Sequence, residues 1–180
     1  MAIAVDWSEM GGVRPDTGVM QDAHAVYDAH YVNLVAQLYA ICGDRGEAED
    51  AVQEAFVRAL LKPDSFAALD NPVAWLRTVA LNQVRGRWRR RKRQRALHHL
   101  LVEDAEPSPP VSPHYVAVVR ALQEIPFAQR ESIVMHHIGD LTVEQIAEAL
   151  GVPSGTVKAR LSRGRAALAK LLEDTEVDHA

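Results

Sequence analysis

Apolar positions recur along most of the chain at the three- and four-residue spacing of helices, and nowhere alternate with the period of two that a strand requires. From Asp22 to about Ile41, the residues Val26, Tyr27, Tyr31, Leu34, Val35, Leu38 and Ile41 share a face, until Gly43 and Gly46 break the pattern. A second helix is expected from about Glu47, with Ala51, Val52, Ala55, Phe56, Ala59 and Leu60 on one side and Pro63 as its stop. Acids in its first turn (Glu47, Glu49, Asp50) suit the positive end of the helix dipole. Asn71-Pro72 then gives a cap followed by proline at the first helical position. The helix it opens carries Trp75, Leu76, Val79, Ala80 and Val84 before its surface turns basic.

Residues 103–114 contain Pro107, Pro109, Pro110 and Pro113, a composition that reads as a semi-extended linker. Beyond it, Val116, Val119, Leu122 and Ile125 form a helix face that Pro126 interrupts, and a further helix is expected from Arg130 to Gly139. Thr142 and Gln145 have capping-box spacing ahead of Ile146, Ala147 and Leu150, and Gly151 supplies a C-terminal stop. Pro153 and Ser154 open a last helix running to about Leu172. Its buried stripe is Val157, Leu161, Gly164, Leu168 and Leu171, spaced four, three, four and three apart. The expected fold is all-α: two small helical bundles joined by a flexible linker, the second containing a helix-turn-helix. The divisions are a loose tail at 1–21, a bundle at 22–102, the linker at 103–114, a bundle at 115–172 and an acidic tail at 173–180.

Charge sharpens this outline. The formal net charge is −4, but residues 81–102 carry eight basic groups and no acid, while residues 1–80 have a net of −7 and 103–150 a net of −6. An isolated positive block in an acidic chain is an electrostatic footprint for a polyanion. The block is the run Arg85, Arg87, Arg89, Arg90, Arg91, Lys92, Arg93 and Arg95, whose members repel one another unless an anion lies alongside. Trp88 within it offers a flat surface for a base or sugar. A solvated face or an address signal would explain such a run in isolation; its continuity with an amphipathic helix bearing Asn82 and Gln83 favours DNA.

Removing the buried stripe from the last helix leaves Thr156, Lys158, Ala159, Ser162, Arg163 and Ala166 pointing outward or sideways. Small and cationic groups near the N-terminus of such a helix suit insertion into a major groove, where Arg or Lys donates to guanine. Arg160 and Arg165 flank the stripe and are better placed for phosphates.

Other chemistries find little support. The single cysteine, Cys42, excludes an internal disulfide framework. The pairs His24/His30, His98/His99 and His136/His137 lack the flanking carboxylates that would complete a metal site. No phosphate-binding glycine loop or nucleophile elbow occurs, so neither an enzyme nor a cofactor is expected. No apolar run could span a bilayer and no secretory leader is visible, which makes the cytoplasm the expected compartment.

With these residues in hand, the chain resembles bacterial RNA polymerase sigma factors of the extracytoplasmic-function (ECF) subfamily. AEDAVQEAFVRAL (48–60) is similar to that family's core-polymerase-binding helix, NPVAWLRTVALNQVRGRWRRRKR (71–93) to its minus-10-reading helix, and LTVEQIAEALGVPSGTVKARLSRGRAAL (141–168) to its minus-35-reading helix-turn-helix. The resemblance implies that Asp50, Gln53, Glu54 and Phe56 dock on the clamp helices of the largest polymerase subunit, and that the second bundle meets the flap of the second-largest. It implies that Phe66, in a loop, and Asn82 capture unstacked minus-10 bases while Arg85, Arg87, Trp88, Arg89 and Arg90 hold the strand. Lys158, Ala159, Ser162 and Arg163 match its base-contacting positions. Core polymerase, promoter DNA and an anti-sigma factor are the implied partners. Ser162 departs from the larger side chain frequent there, which puts the minus-35 preference in doubt. A conventional operator-binding regulator would explain 142–168 but not 48–60, and an RNA-binding adaptor would explain the arginine run alone.

Overall fold

A computed structural model describes residues 17–97 and 113–177, which form eight helices and, among the described residues, no strand. They are α1 (Thr17–Cys42), α2 (Arg45–Leu60), α3 (Pro63–Ala67), α4 (Pro72–Leu97), α5 (Pro113–Glu124), α6 (Phe127–His137), α7 (Val143–Leu150) and α8 (Ser154–Val177). Most of the expected linker lies outside the described residues, as does the expected N-terminal tail up to residue 16, whereas the expected acidic C-terminal tail is helical as far as Val177.

Local signals set the helix ends. Asp44, in an extended conformation, caps α2 by accepting from the Glu47 amide at 2.8 Å. Asn71 Oδ1 accepts from the Ala74 amide at 2.9 Å ahead of α4. The Thr142–Gln145 capping box is complete, and Gly151 closes α7 at φ +63°, a left-handed conformation that glycine adopts without the Cβ clash. Several boundaries differ from the sequence expectation: α1 begins at Thr17 and α8 runs to Val177, each beyond its expected end, and α6 spans Phe127–His137 instead of Arg130–Gly139. Pro63 begins the five-residue α3 instead of only ending α2, so Phe66 is helical, not in a loop. Pro126 likewise starts α6, because a proline next to the first helical position sacrifices no intrahelical bond.

α1, α2 and α4 form the first region. Leu34, Leu38 and Ile41 of α1 and Leu76, Leu81 and Val84 of α4 close over Ala48, Ala51, Val52, Ala55 and Ala59 of α2. That run of small residues lets the helices approach closely. In the second region α6 supplies Ile133, Val134 and Met135, packed with Val119, Leu122, Ile146, Val157 and Leu161.

The two regions also pack on each other, with buried residues of both in one continuous core. Tyr115 Oη donates to Ala36 O at 2.8 Å, and Gln123 Nε2 to Ala40 O at 3.2 Å. Buried Arg130 donates to Ile41 O at 2.8 Å, to Gln123 O at 2.7 Å, to Ile125 O at 3.1 Å, and to the Gln123 side chain.

Candidate nucleic-acid interface

The basic run lies on α4, where its charges find counterions inside the chain. Arg85 pairs bidentately with Glu131 of α6, at 2.9 and 3.1 Å. Arg87 reaches Asp50 at 3.7 Å, and Arg91 reaches Glu47 at 2.6 Å. Glu47 is buried, and that burial raises its pKa even though Arg91 and Arg87 pull it down. These pairs border a cleft of about 410 Å³ lined by Asp44, Glu47, Asp50, Arg87, Arg90, Arg91 and Gln94. The mutual repulsion of the run is thus relieved partly by acids of α2 and α6.

Of the residues expected to hold minus-10 DNA, Asn82, Arg89 and Arg90 face solvent and Arg87 is half-buried. Trp88 does not present a free face: it stacks on Phe127 at 4.7 Å and 24°, with Lys92 Nζ 5.3 Å from its ring. Phe66 is buried and packs edge-on against Trp75 at 5.7 Å. Direct base capture by Phe66 therefore does not fit this conformation, because the residue completes the floor under α4.

On the helix-turn-helix, α7 leads through Gly151 into α8, and Lys158, Ser162, Arg163, Arg165 and Ala166 are exposed. Thr156 and Ala159 are half-buried at the edge of that surface. Arg160 turns inward to Glu131 at 3.4 Å, and Arg165 Nε donates to His137 Nε2 at 3.2 Å. Partial burial, Arg165 and His136 together lower the His137 pKa, which keeps that ring neutral and able to accept. Lys158, Ser162 and Arg163, at positions i, i+4 and i+5, remain as one surface with no internal partner shown for either cation.

On α2, Asp50 and Gln53 are exposed, Gln53 approaching Tyr31 Oη at 3.4 Å. Glu54 is held by Arg58 at 2.7 Å and Gln83 at 2.6 Å. Phe56 corrects its expected role: it is 5% exposed and meets Tyr27 edge-on at 4.9 Å, so it supports α2 from inside and cannot itself dock. The apolar groups on the open side are Val57, 52% exposed, and Leu61, 59% exposed. They follow Gln53 at four-residue steps and stand out of phase with the buried alanines, the signal that could have revealed them. Glu131 also escaped the sequence reading, since nothing local marks a carboxylate that serves arginines 46 and 29 residues away. No cluster of three or more metal-ligating side chains occurs among the described residues, and no helix there is long and apolar enough to cross a membrane.

Comparison with known proteins agrees with this layout. The profile of Sigma-70 region 2 matches residues 26–94, and that of Sigma-70 region 4 matches 115–168. The ECF RNA polymerase sigma factor SigW of Bacillus subtilis is 34% identical over 173 residues, 86% of this chain and 91% of that protein. EcfG of Rhodopseudomonas palustris, also an ECF RNA polymerase sigma factor, is 33% identical over 150 residues, 78% of this chain and 79% of that one. Among solved structures, the sigma factor RpoE of Bartonella quintana, crystallised with the anti-sigma factor NepR, superposes with a TM-score of 0.70 at 28% identity, covering 88% of this chain and 98% of that one. CnrH in complex with the cytosolic domain of CnrY gives 0.63 at 26% identity, covering 86% and 90%. With both conserved regions present in order and a relative similar over nearly its whole length, the chain belongs to the ECF family of RNA polymerase sigma factors, which recognise promoters to initiate transcription.

Proposed function

We propose that this chain docks on core RNA polymerase, reads minus-35 and minus-10 promoter boxes, and drives local opening of the duplex at the minus-10 box. The carrying observation is the exposed Lys158–Ser162–Arg163 surface on the second helix of a helix-turn-helix whose first helix is capped at both ends, in the same chain as the arginine-rich α4. Asp50, Gln53 and Glu54 give α2 an acidic exterior suited to the clamp helices, with Val57 and Leu61 adding apolar contact beside them. α5–α8 would rest on the flap, and the work would take place in the cytoplasm.

Opening requires no nucleotide chemistry here. Unstacking costs a few kcal/mol per base, and contacts that exist only with extruded bases, made by Asn82 and the α4 cations, offset it. Because several phosphates are engaged, affinity should fall steeply with salt. The RpoE and CnrH structures each hold an anti-sigma partner; by analogy, a partner of that kind would govern when this chain reaches polymerase.

Run-off transcription with purified core polymerase is the test. Transcripts starting at defined sites only when this chain is added would support initiation; a chain that binds operator DNA yet yields no transcript from any promoter near its own gene is a conventional regulator. Two substitutions refine the assignment. Asp50→Ala with Gln53→Ala should weaken polymerase binding and leave minus-35 duplex binding intact, whereas equal loss of both would indicate misfolding. Arg163→Ala should cost about 1–3 kcal/mol in duplex binding and broaden the sequence preference. An unchanged binding-site profile would remove Arg163 from the reading face.

A further inference from the structure

We propose that Glu131 is an internal lock: a buried carboxylate that takes one arginine from each DNA-reading helix and keeps the chain closed until a polyanionic surface displaces it. This rests on the functional reading above for the roles of α4 and α8. The geometry carries the rest. Glu131 sits on α6, between the two helices; Arg85 of α4 holds it bidentately, and Arg160 of α8 reaches the Oε1 that Arg85 Nη2 also contacts. Its side chain is 4% exposed, against 13% for Arg85 and 24% for Arg160, so this is a shared ion cluster and not a pair on an open surface.

Two features make closure an obstacle to DNA. A guanidinium that grips a carboxylate bidentately uses the same fork with which it would grip a phosphate, so Arg85 cannot hold both. Trp88, one turn from Arg85 in the same direction, lies flat on Phe127 and has lost a face on which a base could stack. Closure therefore covers Arg85 and Trp88 of the minus-10 element and tethers Arg160 of the minus-35 helix through one residue. A phosphate-lined strand could compete for both arginines, but no neutral surface could. Coupling follows from the sharing: once Arg85 is drawn away, Glu131 keeps a single, longer contact to Arg160.

The closed state has a built-in reporter. Cys42 lies at the end of α1, where Gln123 and Arg130 of the second region pack: a Cβ on the adjoining Gly43 would stand 2.7 Å from Gln123 Cδ, and Arg130 is near enough to Cys42 to interact electrostatically. Burial holds this thiol at a pKa of about 12, with almost no thiolate at neutral pH. The side chain is half-buried, and opening would uncover it further.

In the full-length chain, the reaction rate of Cys42 with an aromatic disulfide reagent should rise at least tenfold on Glu131→Gln. Cooperative unfolding and an unchanged far-ultraviolet dichroism would show that the variant remains folded. The same variant should bind a single-stranded minus-10 oligonucleotide at least fivefold more tightly. If Glu131→Gln fails to fold, Arg85→Gln gives the decision from the other side of the cluster, with thiol reactivity alone as the readout. A folded variant in which Cys42 reacts at the wild-type rate overturns the lock. Faster thiol reaction without tighter oligonucleotide binding upholds the lock and overturns the assignment of α4 to minus-10 DNA.

Discussion

Replacing Gly164 with valine is expected to destabilise the second region by about 2–3 kcal/mol in equilibrium denaturation, and to abolish minus-35 duplex binding with it. α8 crosses α6 so closely at this point that a Cβ on Gly164 would stand 2.6 Å from Ile133 Cδ1, 3.3 Å from Ile133 Cγ1 and 3.2 Å from Gln129 Cβ. The Ile133 methyl can rotate, but Ile133 is buried and has little room to accept it. Gln129 Cβ is fixed to the α6 backbone and can yield only if the helix moves. Alanine divides the two effects: it gains about 1 kcal/mol of helix propensity over glycine and loses about 1–3 kcal/mol to overpacking, so a small net loss is expected. Valine adds two methyl groups where one carbon already collides. The control is Gly86 of α4, which a Cβ would leave with nothing within 4 Å. There alanine should stabilise the free chain by about 0.5–1 kcal/mol. Unchanged stability of the Gly164→Val variant would mean that α6 and α8 are not in contact here.

That close crossing is also where sequence reading succeeded best. The four-three-four-three stripe placed Gly164 inside, and Val157, Leu161 and Gly164 are buried as a helical period demands. The Thr142–Gln145 box, Gly151 and Asn71-Pro72 were legible for a related reason: a cap is a bond between residues two or three apart, so its chemistry is written locally. Phe56, Phe66 and Trp88 show the limit. Periodicity marks which side of a helix is apolar but not whether protein or partner covers it, and all three turned out to be packed against Tyr27, Trp75 and Phe127 respectively. The closure of one region on the other was not legible at all. Its bonds join residues 46–89 positions apart, and neither Glu131 nor Arg130 differs in sequence from an ordinary solvated helix charge.

Arg130→Met should be the most costly single change at the seam between the regions, with an expected loss of about 3 kcal/mol. The wild-type guanidinium gathers the carbonyls of Ile41, Gln123 and Ile125, which lie beyond the ends of helical hydrogen bonding and have this one donor group aimed at them. Methionine matches the volume and restores none of those bonds. The loss is moderated because the arginine is itself poorly solvated: burial lowers its pKa to about 10, and its Nε has no partner. Lysine would retain the charge as a single point and serve fewer of the carbonyls, so Arg130→Lys should fall between. The sign with pH separates desolvation from lost bonding. Below pH 10 both folded and unfolded chains carry the charge, and the wild-type advantage over Met should be flat with respect to this group. Above about 10 and below the higher, ordinary arginine pKa of the unfolded chain, the folded state releases its proton first, so this group makes stability rise with pH in the wild type only. Urea denaturation of wild type, Lys and Met variants at pH 7 measures the order. A Met variant as stable as wild type would show that the three carbonyls are satisfied by water, and that Arg130 contributes nothing to holding the two regions together.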